Sequence, residues 1–144
     1  MRWSCSCTRR TALVALAAAG AAAATRAQAA SGDEHREFIA AAFRMRDEAV
    51  RAGDQPFGAV VVKGGTILGF GPSRVVLKND PSAHAEREAI REAQARIGRT
   101  DLGGAILYSS SRPCSACETA AAEANIARMI HGSDATDAGR PRRL

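Results

Sequence analysis

A histidine with a glutamate two residues on, His84-Ala85-Glu86, and a cysteine pair three apart, Pro113-Cys114-Ser115-Ala116-Cys117, constrain this chain more than any other feature. Each motif stands at the start of a segment with helical patterning. The fold must bring those two helix starts together if His84, Cys114 and Cys117 are to share one ion. A spacing of three puts both cysteines on one helical face. Helix N-termini carry positive potential, which favours thiolate over thiol. Two sulfurs and an imidazole suit zinc and leave one of its four tetrahedral positions free. Glu86 is then placed to move protons at the free position instead of binding the metal.

Taken singly, these motifs have ordinary readings. A histidine at a helix start is usually a cap or a surface residue, and a bare C-x-x-C is as often a redox pair or structural zinc. Their order, spacing and helical setting together favour the metal site.

The remaining pattern predicts one α/β domain. Ser31 to Ala52 reads as an amphipathic helix, with Phe38, Ala42, Met45 and Ala49 on one stripe and Gly53 as its stop. Phe57 to Lys63, the turn Gly64-Gly65, and Thr66 to Phe70 read as a hairpin. Gly71-Pro72-Ser73 breaks it before Arg74 to Leu77. Asp80-Pro81-Ser82 announces a second helix, buried through Ala85, Ala89, Ile90, Ala93 and Ile97 and ended by Gly98. Ala105 to Ser110 is a third strand, Cys114 to Ile126 a third helix, and Ala127 to His131 a fourth strand. The order α-β-β-α-β-α-β matches a sheet with helices on its faces. Aromatic residues make up only 4%, so the core must rest on Val, Ile, Leu and Ala.

The first 29 residues read as an export signal, apart from the fold. Thr8-Arg9-Arg10 closes a basic stretch, Ala12 to Ala24 is apolar but too short to span a bilayer, and Ala27-Gln28-Ala29 suits cleavage. The paired arginines resemble a twin-arginine signal, although Ala12 stands where a Phe or Leu is usual. A disordered or wrongly assigned extension is the bland alternative. Cleavage near Ala29 predicts a periplasmic protein with no membrane anchor, whose remaining cysteines are Cys114 and Cys117 alone. No disulfide framework is then possible. The formal charge of +5 falls to about +1 without this segment, 16 basic against 15 acidic residues, which gives no electrostatic case for a nucleic-acid partner.

H-x-E followed by P-C-x-x-C is the signature of the zinc nucleobase deaminases. The chain resembles the cytidine deaminase-like superfamily, on the branch of guanine and tRNA-adenosine deaminases. The likeness runs from Glu37 to His131. It includes Pro56-Phe57-Gly58-Ala59-Val60, Asn79-Asp80-Pro81-Ser82-Ala83-His84-Ala85-Glu86, and Leu107-Tyr108-Ser109 through Cys117. The resemblance implies a three-layer α/β/α sandwich with a mixed sheet in residues 30–132. It implies zinc on His84, Cys114 and Cys117. It also implies hydrolytic deamination of a nucleobase or nucleoside, with Glu86 shuttling protons between water, ring nitrogen and departing ammonia. Implied substrate contacts are Phe57, Gly58, Ala59, Ser73, Ala83 and Ala85, although close strand packing would equally account for Gly58.

Three departures bear on selectivity. Ser73 stands where relatives often carry a substrate-binding Asn, and a hydroxyl cannot make an amide's two-pronged contact. Arg112 stands where many relatives have Glu. The C-terminal segment that in relatives often covers the pocket and sets substrate choice is expected to be missing: residues 133–144 read as a polar, basic, solvated tail, so the sheet is expected to stop after the fourth strand. Such a sheet would leave an unpaired edge. A partner subunit could cover it, as the family's dimeric habit implies; a shortened product of low stability is the other reading. A zinc-binding module without full activity is the alternative function. A thiol redox protein is a third, which leaves His84 and Glu86 unexplained.

Overall fold

The computed structural model describes the backbone of residues 19–144 and the side chains of residues 32–144. The basic start of the expected export signal and the first part of its apolar run lie outside the described residues. Among the described residues no helix is long and apolar enough to cross a membrane.

The described residues form eight elements in chain order: α1 (Ala19–Arg51), β1 (Gly58–Lys63), β2 (Thr66–Pro72), α2 (Ala85–Ile97), β3 (Ile106–Ser109), α3 (Ser115–Glu123), β4 (Arg128–His131) and β5 (Thr136–Gly139). The strands form one sheet in the order β2-β1-β3-β4-β5. Only β3 and β4 run parallel, and α3 makes the crossover between them. The other pairs are antiparallel, so the sheet is mixed as expected.

Strand alternation builds the three layers. In β1, Val60 and Val62 join Phe38, Ile39 and Ala41 of α1, with Tyr108 and Ile130. Ala59 and Val61 face the other way and join Ala85, Ala89, Ile90 and Ala93 of α2, with Leu107, Ala121 and Met129. The aromatic content of the core is concentrated at Tyr108, which packs on Phe38 with ring centroids 5.2 Å apart. Its hydroxyl lies 2.8 Å from His35 Nδ1, which gives the buried phenol its partner.

Alanine and glycine set the distance between α2 and the sheet. A Cβ built on Gly69 would come 2.1 Å from the Ala89 carbonyl oxygen, and one on Gly71 would come 2.0 Å from that of Ala85. No side chain fits between β2 and α2 at these points. Gly71→Ala must push the helix carrying His84 and Glu86 off the sheet. The expected cost is about 1–3 kcal/mol, the range for overpacking, read as a lowered urea midpoint.

Helix α2 begins later than the Asp80-Pro81-Ser82 pattern predicts. Asp80 and its neighbours form a turn of their own: Asp80 Oδ1 accepts from Ser82 N–H at 2.8 Å, and Asp80 O accepts from Ala83 N–H at 3.0 Å. Pro81 disfavours helical backbone at Asp80, which helps hold that turn. The N-cap is His84, in extended conformation, and its ring makes no cap hydrogen bond, leaving it available for other partners.

The sheet does not stop at β4, which corrects the expectation that it ends at the fourth strand. Residues 132–135 turn the chain back, with Gly132 at φ 75° and Ala135 at φ 51°, and β5 pairs along β4 from Met129 to His131. An Arg128–Asp137 ion pair at 3.4 Å spans the two strands. Beyond β5, Pro141 is buried, and Arg142 binds Glu118 of α3 through both its backbone N–H and its guanidinium. Thr136-Asp137-Ala138-Gly139 carries no apolar alternation because it lies at an exposed edge, held by backbone pairing. Pattern reading therefore sees only a tail.

Candidate active site

His84 caps α2 and Cys114 caps α3, so the two helix starts meet as the motif spacing requires. Cys114 Sγ accepts from Cys117 N–H at 3.4 Å, which fixes the opening turn of α3. His84 Nδ1 stands 3.6 Å from Cys114 Sγ and 3.4 Å from Cys117 Sγ, and the two sulfurs are 3.3 Å apart. Tetrahedral zinc with usual bond lengths holds such donors about 3.5–3.8 Å apart. The observed triangle is within a few tenths of an ångström of that figure. The donor set fits zinc in type, number and spacing.

The electrostatics point the same way. Burial, followed by the nearby Glu86 and Cys114, pushes the Cys117 thiol far above its ordinary value. Two thiolates beside a carboxylate are unfavourable without a cation, and a divalent ion removes the conflict.

Glu86 lies in the first turn of α2 and is 6% exposed. Burial drives its carboxyl above the usual range, against its own backbone N–H, Cys117 and His84. It stands outside the donor triangle. His84, Glu86 and Cys114 line one cavity of about 130 Å³. Phe57, Gln55, Ser111 and Arg112 complete its wall.

The other expected substrate contacts lie outside the lining of this cavity. Gly58 is packed against α1, where an added Cβ would come 2.1 Å from Arg46 N, so close packing explains the glycine. Its N–H donates to Ser110 Oγ at 3.1 Å and its carbonyl accepts from Ser110 N–H at 2.8 Å. Ala59 is a buried strand residue, and Ala83 and Ala85 are buried at the approach to α2. Ala83 O is taken by Arg74 N–H at 3.0 Å. None of these four lines the cavity.

Ser73 has a different partner from the one expected. It is buried, and its hydroxyl donates to Asp54 Oδ1 at 2.9 Å. The same oxygen accepts from Gln55 N–H at 2.7 Å, while Oδ2 accepts from Val76 N–H at 3.0 Å and Leu77 N–H at 2.9 Å. Asp54 thus ties the end of α1 to the 73–77 segment, which is a turn, and holds Gln55 at the cavity wall. Burial raises its carboxyl, but these four hydrogen bonds outweigh that and hold it below the usual carboxylate range. Its stabilisation is therefore fully present above its unfolded value of 3.8 and is lost as pH falls through the lower folded value. Asp54→Ala should cost at least about 3 kcal/mol at neutral pH, the strength of two or more charge-assisted bonds. The gap from wild type should shrink under acid when urea unfolding is followed across pH.

Sequence reasoning missed Gln55 and Ser111 at the cavity and saw Arg112 only as a departure. Gln55 carries no motif of its own; its place follows from Asp54, whose buried side chain no periodicity announces.

The fold and site define a zinc deaminase-type α/β/α domain. Residues 32–133 match the cytidine and deoxycytidylate deaminase zinc-binding region, and the chain belongs to that family. It is 41% identical over 105 residues to a guanine deaminase of Bacillus subtilis, covering 72% of this chain and 67% of that protein. It is 37% identical over 93 residues to a tRNA-specific adenosine deaminase of Aquifex aeolicus, covering 65% of this chain and 62% of the relative. The crystal structure of the Bacillus subtilis guanine deaminase superposes with a TM-score of 0.66 at 40% identity, over 69% of this chain and 64% of that one. The chain thus spans about two thirds of the length of these relatives.

Proposed function

We propose that the chain is a zinc-dependent hydrolase that replaces the ring amino group of a nucleobase or nucleoside with oxygen and releases ammonia. One observation carries the reading: Glu86 is a buried carboxyl that faces the same small cavity as His84 and Cys114 while standing outside the donor triangle. A structural zinc site fills all four positions with protein and needs no proton carrier beside it.

Zinc held by His84, Cys114 and Cys117 supplies the Lewis acidity that makes water a competent nucleophile near neutral pH. The protein's own part lies with Glu86 and the wall. Glu86 as carboxylate takes a proton from the attacking water. As the acid it returns protons to the ring nitrogen and to the departing amine. Its buried setting holds it ready for both roles. Phe57, 41% exposed at the rim, offers an aromatic face to a planar ring.

The relatives named above divide between a free base and tRNA as substrate. The near-neutral charge of residues 30–144 favours the small molecule. Residues 1–29 are proposed as the export signal, and N-terminal sequencing of the secreted protein tests cleavage after Ala29. A homodimer is the proposed assembly, supported by exposed Val76 and Leu77, and sedimentation tests it.

The deciding experiment measures ammonia release by the zinc-loaded protein against guanine, adenine, cytosine, their nucleosides and a tRNA stem-loop. Release from a base or nucleoside supports the reading, whereas release from the stem-loop alone replaces it with tRNA editing. Zinc at about one per chain with no ammonia from any of them would establish the zinc-binding module instead.

A further inference from the structure

The cavity contains one permanent cation, and nothing in the reaction just described uses it. Arg112 lines the cavity, directly before the Pro113-Cys114 approach to α3. Its side chain is exposed, and among the described residues no carboxylate lies within ion-pair distance of it. The acid that shares the cavity, Glu86, makes no ion pair with Arg112, while Glu118 binds Arg142 and Asp54 is saturated by four hydrogen bonds. His131, which feels the Arg112 charge, is kept toward its neutral form by burial first and by Arg112 second. With zinc bound, two thiolates and an imidazole bring the donor site to a formal charge of zero. Buried Glu86 is the cavity's acid, and exposed Arg112 is its one permanent positive charge.

The size of the cavity limits what it can enclose. About 130 Å³ is well below the roughly 300–1,000 Å³ that encloses a drug-sized ligand, so only a ring-sized group enters. The rest of a substrate must lie outside the cavity, where exposed Arg112 offers its guanidinium fork. That fork matches the paired oxygens of a phosphate or carboxylate and binds them bidentately.

Resting on the proposed deamination, we infer that Arg112 is a specificity-determining residue that selects aminated heterocycles carrying an anionic substituent, a phosphate ester or a ring carboxylate. The amino-bearing ring faces Glu86 and the donor triangle. The anionic group stays at the mouth on Arg112.

The test compares kcat/KM of the zinc-loaded full chain for nucleosides, their 5′-monophosphates, free bases, and cytosine-5-carboxylate. The anionic member of a pair should be preferred about 10- to 100-fold, the range of one charge-assisted contact, mainly through KM. The two anionic arms separate phosphate from carboxylate. Arg112→Glu should remove the preference, Arg112→Gln most of it, and Arg112→Lys should restore part. Neutral substrates turned over as well as anionic ones, or a preference unchanged in Arg112→Glu, would overturn the inference. Should no compound release ammonia, the deamination reading fails by itself. Equilibrium titration with the monophosphates then decides Arg112: binding lost in Arg112→Glu upholds its role, and binding absent or unaffected overturns it.

Discussion

Glu86→Gln is expected to reduce turnover by at least two orders of magnitude while leaving zinc bound and the fold intact. The magnitude is that of general acid–base catalysis by one positioned group. The substitution leaves the fold and the metal donors alone. Glutamine has the shape of glutamate, so the first turn of α2 and its packing persist. The side chain lies outside the donor triangle, so His84, Cys114 and Cys117 keep their ion. Burial already disfavours the Glu86 carboxylate, so a neutral amide should fold as well or better. Activity and stability therefore separate: kcat falls steeply, while the thermal midpoint holds or rises. Kinetics alongside a melting curve and zinc content check all three. A variant with normal turnover would remove Glu86 from the chemistry.

The site was legible because metal ligation restricts residue type and spacing so tightly. His84, Cys114 and Cys117 are two helix caps and one first-turn residue, and helix starts leave recognisable marks in a sequence. The layers were legible for a similar reason, since Val60 and Val62 alternate with Ala59 and Val61 as any two-faced strand must. What escaped was structure held by the backbone or by a single buried polar group. Strand β5 pairs without an apolar face, and its neighbour Arg142 docks through Glu118 across a long sequence gap. Ser73 looked like a substrate contact because its position suggested one, yet its hydroxyl is committed to Asp54. Asp54 itself reads as a loop residue until its four partners are assembled by the fold. Gly58 and Gly71 stood out as glycines, but only the third dimension shows that α1 and α2 press against them.

Cys117→Ala is expected to abolish stoichiometric zinc binding, with an affinity loss beyond the 10- to 100-fold typical of losing a supporting hydrogen bond around a metal. Of the two cysteines, Cys117 is the more telling because it is buried and Cys114 is exposed. A solvent molecule can stand in for an exposed donor, but none reaches the inner corner of the triangle. The remaining pair, His84 and Cys114, is too small a set for a tight site. The variant should still fold, since alanine is small and apolar at a 1% exposed position. Without the metal, burial favours the neutral thiol over a thiolate there, so the apo site carries no stranded charge that the substitution would have to relieve. Metal analysis after purification should find about one zinc per wild-type chain and essentially none in the variant. Adding a chelator should lower the melting temperature of wild type by removing a ligand that binds only the native state, and should leave the variant unmoved. A variant that still holds one zinc per chain, or a wild type indifferent to the chelator, would mean that the ion sits elsewhere and that the meeting of the two helix starts serves packing alone.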